Sequence, residues 1–256
     1  MTDQYAVIGN PISHSQSPLI HSEFAKQTGQ NIVYDRLSAP LDGFDRVASA
    51  FVGQGGKGLN ITLPFKGDAF RLAHQLTSRA SVCEAVNTLT FKDGVIYGDN
   101  TDGVGLVRDI VENLDMPIAG KRVLLLGAGG AVRGVLLPLL EEKPASLTVA
   151  NRTVEKAQAL ASQFAPYGAV RAVGYPDLMG EQFDIIINGT STSLHDELTP
   201  IPHGVFAPDA LAYDMVYSAG LTPFLKRAQQ EKAGMLADGL GMLVEQAAEA
   251  FFVWRG

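Results

Sequence analysis

Two glycine- and base-containing segments in the middle of the chain have the makings of a nucleotide site. Gly127-Ala128-Gly129-Gly130-Ala131 follows an apolar run and opens an amphipathic one. Backbone amides at a helix N-terminus, together with the helix dipole, suit a pyrophosphate. The glycines permit a tight turn and close backbone approach, and Ala131 is small enough for helix–strand packing. Val132 stands where the usual fingerprint has its third glycine, and a tight turn without ligand would have the same look. The second segment is Asn151-Arg152-Thr153, with Lys156 one helical turn on. An NAD site usually carries an acidic residue about 20 positions beyond the glycines, on the ribose 2′-hydroxyl. Here no carboxylate sits at that strand tip. Arg152 can pair with a 2′-phosphate, Asn151 and Thr153 can donate hydrogen bonds, and Lys156 adds charge. Alternatively, Thr153 only caps its helix and the two cations are solvated. Taken together after the glycine turn, these residues point to NADP.

The first hundred residues carry three further polar clusters. In Gly9-Asn10-Pro11-Ile12-Ser13-His14-Ser15-Gln16-Ser17-Pro18, closely spaced hydroxyls lie beside an expected helix start. They could hold a substrate carboxylate, although a cap explains Ser17 equally well. Asn60-Ile61-Thr62-Leu63-Pro64-Phe65-Lys66 places an amine just beyond a strand tip, where α/β proteins bind ligands. A lone loop lysine is more often simply solvated. Gly98-Asp99-Asn100-Thr101-Asp102-Gly103 precedes a helix, so Asp102 is either that helix's cap or a chemical group. Ala85-Val86-Asn87-Thr88 adds an amide donor.

The elements that must position these groups alternate short apolar runs with longer amphipathic ones, the pattern of βαβ units and a mainly parallel sheet. Strands are expected at 5–9, 31–36, 58–62, 122–126, 146–150, 170–173, 184–188 and 211–216, with a hairpin of 86–91 and 95–98 around Lys92-Asp93-Gly94. Helices are expected from Ser17-Pro18 to Thr28, stopping at Gly29, and at 68–76, 103–114, 131–142, 153–164 and 237–254. The fold class is α/β in two domains, one of them a Rossmann-like, doubly wound dinucleotide-binding domain. The boundary is placed near 103–119.

Composition narrows the function. The chain has 256 residues, 46% of them hydrophobic, enough for a proper core and too apolar for intrinsic disorder. Its net charge of −7 gives no basic field, so no nucleic-acid partner is expected. The single cysteine, Cys83, excludes an intramolecular disulfide and a multi-cysteine zinc site, and no metal is expected. The N-terminus lacks a basic start and apolar run. No apolar stretch reaches the roughly 18 residues that cross a bilayer, Arg133 interrupting the best one. A cytoplasmic protein without a membrane partner is expected, as monomer or homodimer.

The ordered set GNPISHS, NITLPFK, AVNT, GDNTDG, GAGGA, NRT and DGLGMLVEQA, the last at 238–247, closely resembles the shikimate dehydrogenase family along essentially the whole chain. That family's glycine turn has this same variant form. The resemblance implies a substrate domain of 1–103 completed by 237–256, an NADP-binding Rossmann-like domain of 104–236, and an active site in the cleft between them. It implies NADP-dependent interconversion of 3-dehydroshikimate and shikimate, a step in chorismate and aromatic amino-acid synthesis. By likeness, Lys66 and Asp102 are the catalytic pair. Ser15 and Ser17 hold the substrate carboxylate, and Thr62, Asn87, Gln246 and Tyr217 bind the rest of the substrate. Gly239, Met242 and Met215 lie against the cofactor, and Thr190 borders it. The alternatives are a paralogue preferring quinate or NAD, and a non-catalytic NADP-binding sensor; the latter predicts loss of Lys66, Asp102 or the serines, which are all present.

Overall fold

The structure, a computed structural model, describes residues 2–195 and 197–256. The chain divides into two compact units, Met1–Gly105 with Val244–Gly256, and Leu106–Leu243. Each is built on its own six-stranded sheet.

The first unit runs β1 (Asp3–Gly9), α1 (Ser17–Thr28), β2 (Ile32–Ser38), α2 (Phe44–Gly53), β3 (Gly56–Ile61), α3 (Lys66–Leu72), β4 (Gln75–Leu76), α4 (Ser78–Cys83), β5 (Thr88–Lys92), β6 (Val95–Asp99) and α5 (Asp102–Arg108). Its sheet order is β2-β1-β3-β5-β6-β4. β2, β1 and β3 are parallel, and β5 is antiparallel to both β3 and β6. Gly29 ends α1 in the left-handed conformation, φ 67°. Asp93 and Gly94, at φ 52° and 75°, make the turn between β5 and β6, the double positive φ that a tight right-twisted hairpin requires. Ile8, Leu59, Ile61, Phe65, Val86 and Leu89 fill the core.

The second unit continues with β7 (Arg122–Leu126), α6 (Gly130–Glu141), β8 (Ser146–Ala150), α7 (Val154–Phe164), β9 (Arg171–Val173), β10 (Phe183–Asn188), β11 (Phe206–Asp214), α8 (Pro223–Gln230) and β12 (Met235–Ala237); α9 (Leu240–Arg255) then returns the chain to the first unit. The order β12-β11-β10-β7-β8-β9 is wholly parallel. In chain order this is the doubly wound 3-2-1-4-5-6 sheet, whose switch point falls between its first and fourth strands, β7 and β10. Val123 to Leu126 and Ile185 to Ile187 are fully buried, as strands covered on both faces must be.

Several local expectations change. The segment expected as one helix over 68–76 is α3 followed by the two-residue strand β4. The helix expected to start at Ala237 starts at Leu240, because Met235–Ala237 pairs with β11 and Asp238-Gly239 turns the chain. α5 ends at Arg108 and gives way to a single π turn, Asp109–Asn113. α2, α4 and α8 were not expected. Among the described residues, no helix is long and apolar enough to cross a membrane.

Candidate active site

In the first unit, Lys66 opens α3 and Asp102 opens α5, and the Lys66 ammonium forms an ion pair with Asp102 Oδ2. The carboxylate's other oxygen, Oδ1, accepts from Asn87 Nδ2 at 2.8 Å. Asn87 Nδ2 also reaches Thr101 Oγ1 (2.9 Å) and Gln246 Oε1 (3.3 Å), while Asn87 Oδ1 accepts from the Thr101 N–H (2.9 Å). Lys66, Asp102, Asn87 and Gln246 thus meet in one hydrogen-bonded cluster, although they lie on four separate segments. Backbone bonds set their places: Val86 N–H donates to Lys66 O (3.0 Å), Ile61 N–H to Asn87 O (2.7 Å), and Asn87 N–H to Asp99 O (3.0 Å). The side chain of Asp102 is 8% exposed and that of Lys66 21%, so the acid is sunk and the amine stands at its mouth.

The loop that delivers Asp102 is braced by residues that the motif reading passed over. Asn100 Oδ1 accepts from the Asp102 N–H (3.1 Å), and Asn100 Nδ2 donates to Ala85 O (3.1 Å) and Cys83 Sγ (3.3 Å). Asp99 accepts from Arg79 Nε and Nη2 (2.6 and 2.7 Å) and from Thr77 Oγ1 (2.6 Å). Arg79 Nη1 also donates to Glu249 of α9 at 3.0 Å. Burial opposes ionisation of Asp99, but the Arg79 and Thr77 bonds outweigh it and hold the carboxyl below its ordinary value. Asn60 is buried and joins Tyr34 to Asn87 and Thr88. Each of these residues sits inside a motif or opposite one, yet only the fold shows which amide meets which carboxylate.

Ser15 and Ser17 form a second group. Ser17 is the first residue of α1, not its cap: Gln16 holds the cap position, with no side-chain cap bond. Instead the Ser17 N–H donates to Ser15 Oγ (3.3 Å), and the two hydroxyls lie 3.2 Å apart. Thr62 follows β3, its N–H donating to Ile8 O (3.0 Å). Its methyl occupies the space where a side chain on Gly9 would go, so the two loops approach through that glycine.

In the second unit, the glycine turn lies at the switch point. Gly127 has φ 103°, which favours glycine. Gly129 and Gly130 have only open space where a Cβ would stand, and Gly129 is the α6 cap residue, with no side chain of its own over the helix amides. A pyrophosphate fits such a bare N-terminus. A Cβ on Gly189 would lie 2.5 Å from Val132 Cγ2 and 3.1 Å from Met215 Sδ. The missing glycine of the fingerprint is therefore supplied across the turn: Val132 fills the space that Gly189 leaves empty. Gly239 closes against the Met215 backbone, and Met242 N–H donates to Tyr213 OH (3.2 Å). Thr190 Oγ1 hydrogen-bonds Asn188 Oδ1 at 2.7 Å. The Gly127–Ala131 turn, Thr190, Met215, Gly239 and Met242 all follow the carboxyl ends of strands β7, β10, β11 and β12 of this sheet, Met242 in the first turn of α9.

One strand over, Asn151, Arg152 and Thr153 join β8 to α7. Thr153 is the cap residue but makes no side-chain cap bond, which leaves its hydroxyl for a ligand. Arg152 and Lys156 are exposed, and Asn151 Nδ2 donates to Thr153 O at 2.8 Å, tightening the turn. The turn can therefore present a guanidinium, a hydroxyl and an amine to a 2′-phosphate. Tyr217 stands past the end of β11, with 36% of its surface exposed. Burial on its other side raises its phenol above the ordinary value.

Comparison with known proteins places this geometry. Residues 7–89 match the family model described as the shikimate dehydrogenase substrate binding domain, and residues 106–196 match that described as shikimate / quinate 5-dehydrogenase. Over 256 residues the chain is 74% identical to a Chromobacterium violaceum protein named shikimate dehydrogenase (NADP(+)), covering 100% of this chain and 94% of that one. A solved Ael1 enzyme from Pseudomonas putida is similar at TM-score 0.94 and 50% identity, covering 100% of this chain and 94% of that one. A Thermus thermophilus shikimate 5-dehydrogenase, solved with NADP(H) and shikimate, is similar at TM-score 0.89 and 31% identity, with coverage of 100% and 94%. With one family model matching within each unit and a full-length relative at this identity, the chain belongs to the shikimate dehydrogenase family.

Proposed function

We propose that this chain catalyses the reversible, NADP-dependent interconversion of 3-dehydroshikimate and shikimate, with Lys66 and Asp102 as its acid–base pair. The observation that carries the chemistry is the Lys66–Asp102 ion pair, with the second carboxylate oxygen tied to Asn87. Family membership and the relatives named NADP-dependent supply the substrate and the coenzyme.

Bound NADPH supplies the hydride in the reductive direction. As the substrate's ketone oxygen gains negative charge, the Lys66 ammonium stabilises it and donates a proton; in oxidation the neutral amine takes that proton back. Asp102 aims the ammonium, and Asn87 keeps the carboxylate from rotating away. Ser15 and Ser17 bind the substrate carboxylate, and Thr62, Asn87 and Gln246 bind its hydroxyls. In the second unit, Gly127 to Ala131 receive the pyrophosphate, and Asn151, Arg152, Thr153 and Lys156 receive the 2′-phosphate. Thr190, Met215, Gly239 and Met242 line the remainder of the coenzyme. The proposal extends to a cytoplasmic enzyme working as monomer or homodimer on small molecules alone.

The test is an absorbance assay of the purified protein with shikimate or quinate, each with NADP or NAD. The expected result is formation of reduced coenzyme fastest with shikimate and NADP. No shikimate-dependent reduction, or a preference for quinate with NAD, overturns the reading.

A further inference from the structure

Two neutral hydroxyls can hydrogen-bond a carboxylate but cannot match its charge, so the serine loop alone does not explain a preference for an acid. Beside that loop stands Arg36. It lies on β2 opposite Val7 of β1 and is exposed. Its Nε and Nη2 both donate to the backbone carbonyl of Ser15, at 3.0 and 2.5 Å. The other strongly bonded arginines hold carboxylates: Arg79 holds Asp99, Arg122 holds Asp184, Arg227 holds Glu231, and Arg255 holds Asp3. Arg36 pairs with no carboxylate among the described residues. Its charge is therefore uncompensated, and its Nη1 N–H groups take no part in the Ser15 bond. A guanidinium keeps its charge at any working pH and offers a rigid fork of five N–H groups.

We propose that Arg36 is a positioning and specificity-determining residue of the carboxylate subsite. Its forked donation to the Ser15 carbonyl sets the turn that brings the two serine hydroxyls together. Its unneutralised charge makes that turn select an anionic substrate over a neutral one. The proposal rests on the assignment of Ser15 and Ser17 to the substrate carboxylate.

The experiment compares steady-state kinetics on shikimate and on its methyl ester for the wild type, Arg36→Gln, Arg36→Lys and Ser15→Ala. Arg36→Gln is expected to raise KM for shikimate roughly tenfold, with kcat within about twofold, because a uniform binding contribution is lost. KM for the ester rises by a clearly smaller factor, because the ester loses only the positioning of the serine turn and not the charge pairing. Arg36→Lys keeps the charge without the fork and falls between the two. An unchanged shikimate KM in Arg36→Gln overturns the proposal, as does an equal rise for acid and ester, which would make Arg36 a support of the loop only. Ser15→Ala separates the layers. If it raises KM for shikimate, the serine assignment stands and any failure counts against Arg36 alone. If it leaves KM unchanged, the serine assignment falls and this proposal with it.

Discussion

Lys66 and Asp102 are each ambiguous in isolation, one a loop lysine and the other a helix-start acid. What distinguishes them is a contact between residues 36 positions apart, which no local pattern encodes. The functional consequence is direct: Lys66→Ala is expected to lower turnover by ~10²–10⁴ while shikimate still binds. Rapid-mixing kinetics with equilibrium binding of shikimate check both halves; turnover within a few-fold of wild type removes Lys66 from the chemistry. A second single-residue effect concerns His21, fully buried and stacked on Tyr34 at 4.2 Å between ring centres. Burial pushes its imidazole down to about 3. The unfolded chain takes up a proton near pH 6.5 that the native state refuses, so this histidine costs stability as pH falls from there toward about 3, by up to ~1.4 kcal/mol per pH unit. His21→Phe keeps the stacking and has no proton to accept. Urea unfolding at pH 4.5 and 7 should show a shallower acid loss in the variant, and identical losses would contradict the assignment. Cys83 is likewise sealed: burial pushes its thiol up to about 11, so the folded protein should resist iodoacetamide at neutral pH while the denatured chain alkylates at once.

At the level of elements, the parallel sheet of the second unit was legible because its strands are continuous apolar runs punctuated by glycine and asparagine turns. The expected bounds of 122–126 and 146–150 coincide with β7 and β8. α2 was not read, although its buried Phe44, Ala48 and Phe51 follow a helical repeat. α8 was not read either, although Thr222 caps it and Pro223 opens it; both signals were present and unused. β12 was beyond local reading, since three residues become a strand only by pairing with β11. The turn after β8 carries its own prediction: Arg152→Ala should raise the dissociation constant for NADPH much more than that for NADH, measured by fluorescence titration, and equal weakening would remove the 2′-phosphate role. The glycine turn carries another. Gly189→Ala forces a methyl onto Val132, which is fully buried and has no room to retreat, an overpacking cost of about 1–3 kcal/mol. Val132→Ala in the same chain should recover part of the loss in denaturant unfolding; purely additive destabilisation would show that the two side chains do not compete for one space.

For the whole molecule, alternation of apolar and amphipathic runs was enough for the α/β class and for a dinucleotide-binding half. The roles of α9 were not legible from periodicity. Gln246 reaches Asn87, Glu249 reaches Arg79, and Trp254 Nε1 donates to Leu89 O at 3.1 Å, over a Gly58 that has no side chain to obstruct it. All three contacts span more than 150 positions of chain. A ligand that binds only the folded protein stabilises it by mass action, by about 2.7 kcal/mol at a hundred times its dissociation constant. NADP should therefore raise the thermal midpoint of the wild type and, at the same concentration, do much less for Arg152→Ala.

The interleaved chain also has a consequence for biosynthesis. β1 to β6 leave the ribosome first, but the helix carrying Gln246, Glu249 and Trp254 is translated only after all of Leu106–Leu243. The nascent polypeptide can therefore finish the doubly wound sheet while the earlier-made half still exposes the surface awaiting its last helix. On the proposed assignment, the hydrogen-bonded surroundings of Lys66 and Asp102 are complete only once Gln246 has been made.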